Sequence, residues 1–307
     1  MNLSGATRLA AVIGDPIRHS RSPAIFNAAF AAAALDWAYL AFEVPSGGAA
    51  GALDAVRALG LEGLSVTMPH KTDVAELVDE RSPQAELLGA VNCVVRRGDR
   101  LIGHNTDGAG FVASLRADAD FDPAGQRCVV LGAGGAARAV VLALAEAGAA
   151  AVVVVNRSPD KAATAAALAG PVGATAPIDD LAGSLAAADL VVNATSLGMD
   201  AASTPIGPAA LTALPDSALV ADLVYQPAVT PLLAAATARG LHTMGGLGML
   251  VYQAAEAFTH WTGEVAPVAE MRRAAEAPPA GPSGGPSGGP SAGPSDRPPD
   301  AASRTDE

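Results

Sequence analysis

Residues 128–157 decide the fold: Cys128-Val129-Val130-Leu131-Gly132-Ala133-Gly134-Gly135-Ala136-Ala137 at one end, Ala151-Val152-Val153-Val154-Val155-Asn156-Arg157 at the other. Cys128 to Leu131 reads as a short buried strand, an apolar run stopped by a glycine. The alanine, valine and leucine pattern from Arg138 to Ala147 reads as a helix, Gly148 as its cap, and Ala151 to Val155 as the next strand. Strand, glycine turn, helix and strand make the βαβ unit that seats a dinucleotide pyrophosphate on a helix N-terminus. Within Gly132-Ala133-Gly134-Gly135-Ala136, Gly132 permits the turn and Gly134 lets backbone approach a phosphate. Ala137 lets the helix lie close on the sheet. The second strand ends in Asn156 and Arg157, with no Asp or Glu at its tip. A carboxylate there would grip a ribose 2′-hydroxyl and repel a 2′-phosphate. A guanidinium does the reverse, so the cofactor expected is NADP.

Around this unit the composition sets limits. A chain of 307 residues has room for two domains of ordinary size. Half of it is hydrophobic and only 4% aromatic, so the cores must be built from Ala, Val and Leu. A net charge of −12 argues against nucleic acid as a partner, since phosphate contacts want clustered Lys and Arg. No apolar run approaches the roughly 20 residues of a membrane span. Leu9 to Ile13 is too short for a signal segment and reads as a strand. Cys93 and Cys128 sit in apolar runs, where a thiol behaves as a small hydrophobe, and no metal is expected. The compartment expected is a reducing cytoplasm, the state a monomer or a homodimer. From about Glu276 onward periodic hydrophobics give way to Gly-Pro-Ser repeats of period four, so residues 276–307 are expected to be disordered.

Short apolar strands alternate with alanine-rich helices through residues 9–110. Strands are expected at Arg8 to Ile13, Ala38 to Val44 and Gly63 to Val66, helices at Pro23 to Leu35, Gly47 to Leu59 and Thr72 to Leu77. A hairpin is expected over Val91 to Arg96 and Arg100 to Gly103. Polar Asp118 to Gly125 breaks the pattern ahead of the cofactor domain. Further strands at Leu190 to Ala194, Ala218 to Asp222 and Leu241 to Met244 precede a helix from Leu247 to Trp261. The rhythm implies parallel sheets in two α/β domains: 1–110, completed by helices in 247–275, and a Rossmann-type domain over 111–246, with a cleft between them.

The first 110 residues carry polar clusters at strand exits, where α/β sheets bind ligands. Gly14-Asp15-Pro16-Ile17-Arg18-His19-Ser20-Arg21-Ser22-Pro23 follows one strand and Ser65-Val66-Thr67-Met68-Pro69-His70-Lys71 another. Ala90-Val91-Asn92 and His104-Asn105-Thr106-Asp107 make a third group. Simpler roles are open for several of these. Ser22 before Pro23 is a good helix N-cap, Asp107 before Gly108 a good turn or cap, and a lone Lys is usually solvated.

Taken together, the clusters resemble the shikimate dehydrogenases. The stretches Gly14 to Asn27, Ser65 to Lys71, Ala90 to Asn92, Asn105 to Asp107, Val192 to Met199 and Gly246 to Gln253 stand in that family's order, over about residues 9–265. The resemblance implies reduction of 3-dehydroshikimate to shikimate by NADPH, a step of chorismate and aromatic amino acid biosynthesis. It makes Lys71 and Asp107 the catalytic pair. It implies substrate contacts from Ser20, Ser22, Thr67, Asn92, Asp107 and Gln253, with Tyr225 near the reacting ring. It gives Gly132, Ala133, Gly134, Gly135 and Ala136 to the pyrophosphate, Asn156 and Arg157 to the 2′-phosphate, and the backbone near Leu223 and Gly246 to the nicotinamide. Thr195, Met199 and Met249 would line the cofactor cleft. Ser65, Phe26 and His104 depart from residues common in the family, and none of the three is a reacting group.

The chemistry is consistent with this. Hydride transfer to a ketone builds negative charge on oxygen, and a Lys beside an Asp can supply the proton and steady the alkoxide. Rival readings are an NAD-using quinate/shikimate dehydrogenase, disfavoured by Arg157 and the short hydroxyl of Ser22, and a non-catalytic NADP-binding module, which has no use for Lys71, Asp107 and Gln253. A glutamyl-tRNA reductase would need an N-terminal nucleophilic cysteine and a basic face, which are lacking.

Overall fold

The computed structural model describes residues 3–278, and in it strands and helices alternate except at one hairpin and at the last two helices. The first half runs β1 (Arg8–Gly14), α1 (Ser22–Ala32), β2 (Trp37–Glu43), α2 (Ala49–Leu59), β3 (Gly63–Val66), α3 (Lys71–Leu77), β4 (Glu80–Arg81), α4 (Pro83–Leu88), β5 (Cys93–Arg97) and β6 (Arg100–His104). These strands form a six-stranded sheet in the order β2-β1-β3-β5-β6-β4. The sheet is mixed, which corrects the parallel sheet implied by the sequence rhythm. β1 lies parallel to β2 and β3, but β5 is antiparallel to both β3 and β6. The cause is local: the β5–β6 hairpin turns at Gly98, φ 62°, and needs no crossover helix.

Helix α5 (Asp107–Ala119) leads to the second sheet, built from β7 (Arg127–Leu131), α6 (Gly135–Glu146), β8 (Ala151–Val155), α7 (Pro159–Ala166), β9 (Gly173–Ala176), α8 (Leu181–Leu185), β10 (Leu190–Asn193), α9 (Pro208–Leu211), β11 (Leu219–Asp222), α10 (Pro231–Ala238) and β12 (His242–Met244). Its order is β12-β11-β10-β7-β8-β9, parallel throughout. This is the doubly wound arrangement, with its direction of winding reversed between β7 and β10. The crevice outside the carboxyl ends of those two strands is where such sheets bind ligands.

Side chains alternate between the faces of each sheet, so each sheet has two cores. Along β1, Ala10 and Val12 enter one core and Ala11 and Ile13 the other. Along β7, Cys128 and Val130 face one side, Val129 and Leu131 the other. After β12 the chain returns: Val251, Phe258 and Trp261 of α11 (Leu247–Thr262) and Met271 of α12 (Val268–Glu276) pack with Phe26, Phe30 and Tyr39. Expected strands and helices are present with ends shifted by at most three residues. Helices α4, α5, α7, α8, α9 and α10 and the edge strands β4 and β9 were not among the expectations. Glu276, expected at the start of the tail, is the last residue of α12, and the Gly-Pro-Ser segment from 279 on lies outside the described residues. Among the described residues no helix is long and apolar enough to cross a membrane, and no three potential metal ligands cluster. Both cysteines are buried and free, and burial pushes their thiol pKa values up.

Candidate active site

The turn after β3 ends when the His70 amide donates to the Thr67 carbonyl (3.0 Å), which makes Lys71 the first residue of α3. After β6, Asp107 becomes the first residue of α5. The two meet, Lys71 Nζ donating to Asp107 Oδ2 at 2.6 Å, with only 23% and 10% of their side chains exposed. The other carboxylate oxygen, Oδ1, accepts from Asn92 Nδ2 at 2.7 Å. Asn92 also donates to Thr106 Oγ1 (3.0 Å), and its Oδ1 accepts from the Thr106 amide (2.8 Å) and hydroxyl (3.3 Å). Its hydrogen-bonding capacity is thus spent on orienting Asp107. Asp107 does not serve as a cap: its carboxylate is committed to Lys71 and Asn92.

A cavity of about 480 Å³ gathers the residues expected to meet substrate: Ser20, Ser22, Thr67, Lys71, Asn92, Asp107, Tyr225 and Gln253. Ser20 and Ser22 come from the loop after β1. Its turn is closed by the Ser20 amide on Ile17 O (2.9 Å), and Ser22 donates its amide to Ser20 Oγ (3.3 Å). Ser22 is the first residue of α1, which has no side-chain cap, so the capping alternative for its hydroxyl is removed. Gly246, Met249, Leu250 and Gln253 line the wall at the helical spacing of α11. Gln253 Nε2 donates to Leu250 O (2.8 Å). Burial raises the Tyr225 pKa while the charge of Arg21 works against that rise.

Leu223 and Ala136 complete the wall on the side of the second sheet, so the cavity opens onto its carboxyl edge. Met199 lines the cavity too, while Gly132 to Gly135, Asn156, Arg157 and Thr195, expected at the cofactor, are outside its lining. Gly132 has φ 109°, and a side chain there would press on Ala194 O and Thr195 at 3.1 Å. Gly134 and Gly135, at the start of α6, have open space where a side chain would stand, so the α6 amides are accessible. Arg157 is exposed at the tip of β8 and makes no ion pair among the described residues; Asn156 turns back to donate to Ser158 O (3.1 Å). A positive-φ glycine, an uncovered helix N-terminus and a free guanidinium at the next strand's tip fit a dinucleotide with a 2′-phosphate. Beside them, buried Asn193 accepts from the Thr195 amide (3.0 Å) and hydroxyl (2.7 Å), and donates to Asp222 Oδ1 (2.9 Å). Asp222 accepts from Thr230 Oγ1 (2.7 Å) and the Val224 amide (3.0 Å); burial raises its pKa against these hydrogen bonds. That network fixes the strand ends carrying Thr195 and Leu223, and sequence reading missed it, since one Asn and one Asp in apolar strands carry no spacing signal. Asp15, His19 and Ser65 also line the cavity without having been expected there. Tyr39 donates its hydroxyl to Ser65 Oγ at 2.6 Å.

A doubly wound sheet with a phosphate-ready glycine turn, joined by one cavity to an ion-paired Lys and Asp, defines a nicotinamide-dependent oxidoreductase. Residues 12–94 match the shikimate dehydrogenase substrate binding domain, 116–206 the shikimate / quinate 5-dehydrogenase family and 246–276 the shikimate 5′-dehydrogenase C-terminal domain. The chain is 46% identical to the shikimate dehydrogenase (NADP(+)) of Moorella thermoacetica, over 89% of this chain and 94% of that one. Its fold is similar to shikimate 5-dehydrogenase of Listeria monocytogenes in complex with shikimate and NAD (TM-score 0.83, 36% identity, 89% and 98% coverage). It is also similar to that of Thermus thermophilus in complex with NADP(H) and shikimate (TM-score 0.79, 38% identity, 87% and 98% coverage). The chain belongs to the shikimate dehydrogenase family.

Proposed function

We propose that this chain reversibly reduces 3-dehydroshikimate to shikimate with NADPH, in chorismate and aromatic amino acid biosynthesis. The observation that carries the reading is the 2.6 Å Lys71–Asp107 pair, facing the same cavity as Ser20, Ser22 and Gln253. Bound NADPH supplies the hydride. Ser20 and Ser22 hold the substrate carboxylate, and Thr67 and Gln253 take its hydroxyls. Lys71 Nζ faces the oxygen on which charge develops, and the proton reaches that oxygen through the Lys71–Asp107 pair. Asn92 keeps the Asp107 carboxylate turned toward Lys71. Gly132 to Ala136 hold the pyrophosphate, Asn156 and Arg157 the 2′-phosphate, Thr195, Leu223, Gly246 and Met249 the nicotinamide side of the cleft.

In this reading residues 1–110, with 247–275, form the substrate domain and 111–246 the cofactor domain. The enzyme works in the cytoplasm as a monomer or homodimer. The test is a spectrophotometric assay crossing shikimate and quinate with NADP and NAD. Shikimate with NADP is expected to give the highest kcat/KM; a preference for quinate with NAD would transfer the chain to the catabolic branch, and no turnover would leave a binding module.

A further inference from the structure

Arg21 stands between Ser20 and Ser22, yet it is not among the residues that line their cavity. Its guanidinium turns the other way. Nη2 donates to the carbonyls of Ala275 (2.7 Å), Ala274 (3.5 Å) and Ala277. Ala274 and Ala275 lie in the last turn of α12 and Ala277 is its C-cap, where a helix leaves its acceptors unpaired and its dipole negative. A planar, permanently charged group with several donors suits that end better than any other side chain. The far end of the contact is itself anchored, because Met271 and Ala275 of α12 pack in one core with Phe26 and Phe30 of α1. Elsewhere the loop is tied by Ile17, buried in that same core, by the Asp15 amide on Met68 O (3.0 Å) and by the Arg18–Glu43 pair. At Ser20 and Ser22 themselves the ties are few. Ser20 N bonds Ile17 O, Ser22 N bonds Ser20 Oγ, and the N-cap position of α1 is Arg21, which supplies no side-chain cap. The positive charge also reaches Tyr225 on the cavity wall.

We propose that Arg21 is a positioning residue: by capping the C-terminus of α12 it sets Ser20 and Ser22 at the cavity wall, so that the last helix of the folded body tunes affinity for substrate. The identity of that substrate rests on the dehydrogenase reading above. Lysine keeps the charge but not the planar, preorganised guanidinium, and alanine keeps neither.

The test uses full-length R21A and R21K, with kcat, the Michaelis constants for shikimate and NADP, and hydrogen exchange over residues 18–24. In R21A the Michaelis constant for shikimate is expected to rise roughly tenfold, the loss of one charge-assisted contact, with kcat and the NADP constant moving less than about twofold. R21K should fall between, and exchange over 18–24 should quicken in the same order. An unchanged shikimate constant in folded R21A overturns the proposal. So does a parallel loss in kcat and both constants with a lowered melting temperature, which is what a merely structural arginine produces. If R21A does not fold, R21K carries the same comparison. Should the unaltered chain fail to turn over shikimate, the dehydrogenase reading falls. Exchange then decides the role of Arg21 by itself, and equal rates over 18–24 overturn it.

Discussion

Lys71 and Asp107 are each the first residue of a helix, and the two helix starts point their side chains at one another across 2.6 Å. For Asp107 the position is favourable, since a helix N-terminus attracts a carboxylate by about 0.3–1 kcal/mol. For Lys71 the same effect has the wrong sign. The local electrostatics of α3 therefore do not explain a lysine at this place, whereas Asp107 and the cavity do. Asn92 reinforces the pair from behind by holding the second carboxylate oxygen.

If Lys71 and Asp107 share the proton work, Lys71→Ala and Asp107→Asn should each lower kcat by about 10²–10⁴-fold with smaller changes in Michaelis constants. Because they act as one unit, the double variant should be little worse than the poorer single one. Steady-state kinetics on the three variants checks this. Losses that multiply would mean the two residues act independently.

Arg157 at the tip of β8 should decide between the dinucleotides. Arg157→Ala removes a charge-assisted contact of roughly 1.5–3 kcal/mol, so the NADP Michaelis constant should rise about 10- to 150-fold. The constant for NAD, which has no 2′-phosphate, should barely move. Equal use of both cofactors by the unaltered chain would remove the basis for this expectation.

The doubly wound half of the fold was legible because its signals are local. A glycine turn between apolar strands and a basic residue at the next strand's tip need no tertiary information. Helix α5 was not legible, although it carries Asp107. Its sequence, Asp107-Gly108-Ala109-Gly110-Phe111, spends two early positions on glycine, the poorest ordinary helix former. The structure supplies the reason: a side chain at Gly108 would meet Ala139 O of α6 at 2.6 Å, and one at Gly110 the Gln253 backbone of α11 at 2.5 Å. Helix propensity is given up so that α5 can fit between the two. The role of Asn92 was hidden for a similar reason. Its partners, Thr106 and Asp107, lie on the far side of a hairpin, and only the fold shows that they use up its hydrogen bonds.

That packing can be tested at Gly110. Gly110→Ala gains up to about 1 kcal/mol of helix propensity but forces a methyl group against rigid backbone. Overpacking of this kind costs roughly 1–3 kcal/mol, so the melting temperature should fall. Since the displaced backbone is that of Gln253, the Michaelis constant for shikimate should rise as well. A stable variant with an unchanged constant would show that α5 and α11 separate freely.

His104, at the end of β6 and just ahead of the segment that carries Asp107, should make stability depend on pH. Its ring stacks on His260 with centroids 4.2 Å apart. Burial first, then the charges of His260 and Arg97, lower its pKa from the ordinary 6.5 to about 4. The unfolded chain therefore binds a proton at His104 below pH 6.5, whereas the folded chain refuses it until about pH 4. Stability should be lost as pH falls through that window and unaffected by this group above it. His104→Gln keeps a polar side chain of similar length and cannot titrate. The melting temperature of the variant relative to the unaltered chain should consequently climb as pH drops from 7 toward 4.5. Glu256 lies beside His260, at 3.7 Å, so the difference between the two chains at each pH is the quantity to measure. A difference that stays constant across the window would mean that His104 takes up its proton as readily in the folded state as in the unfolded one.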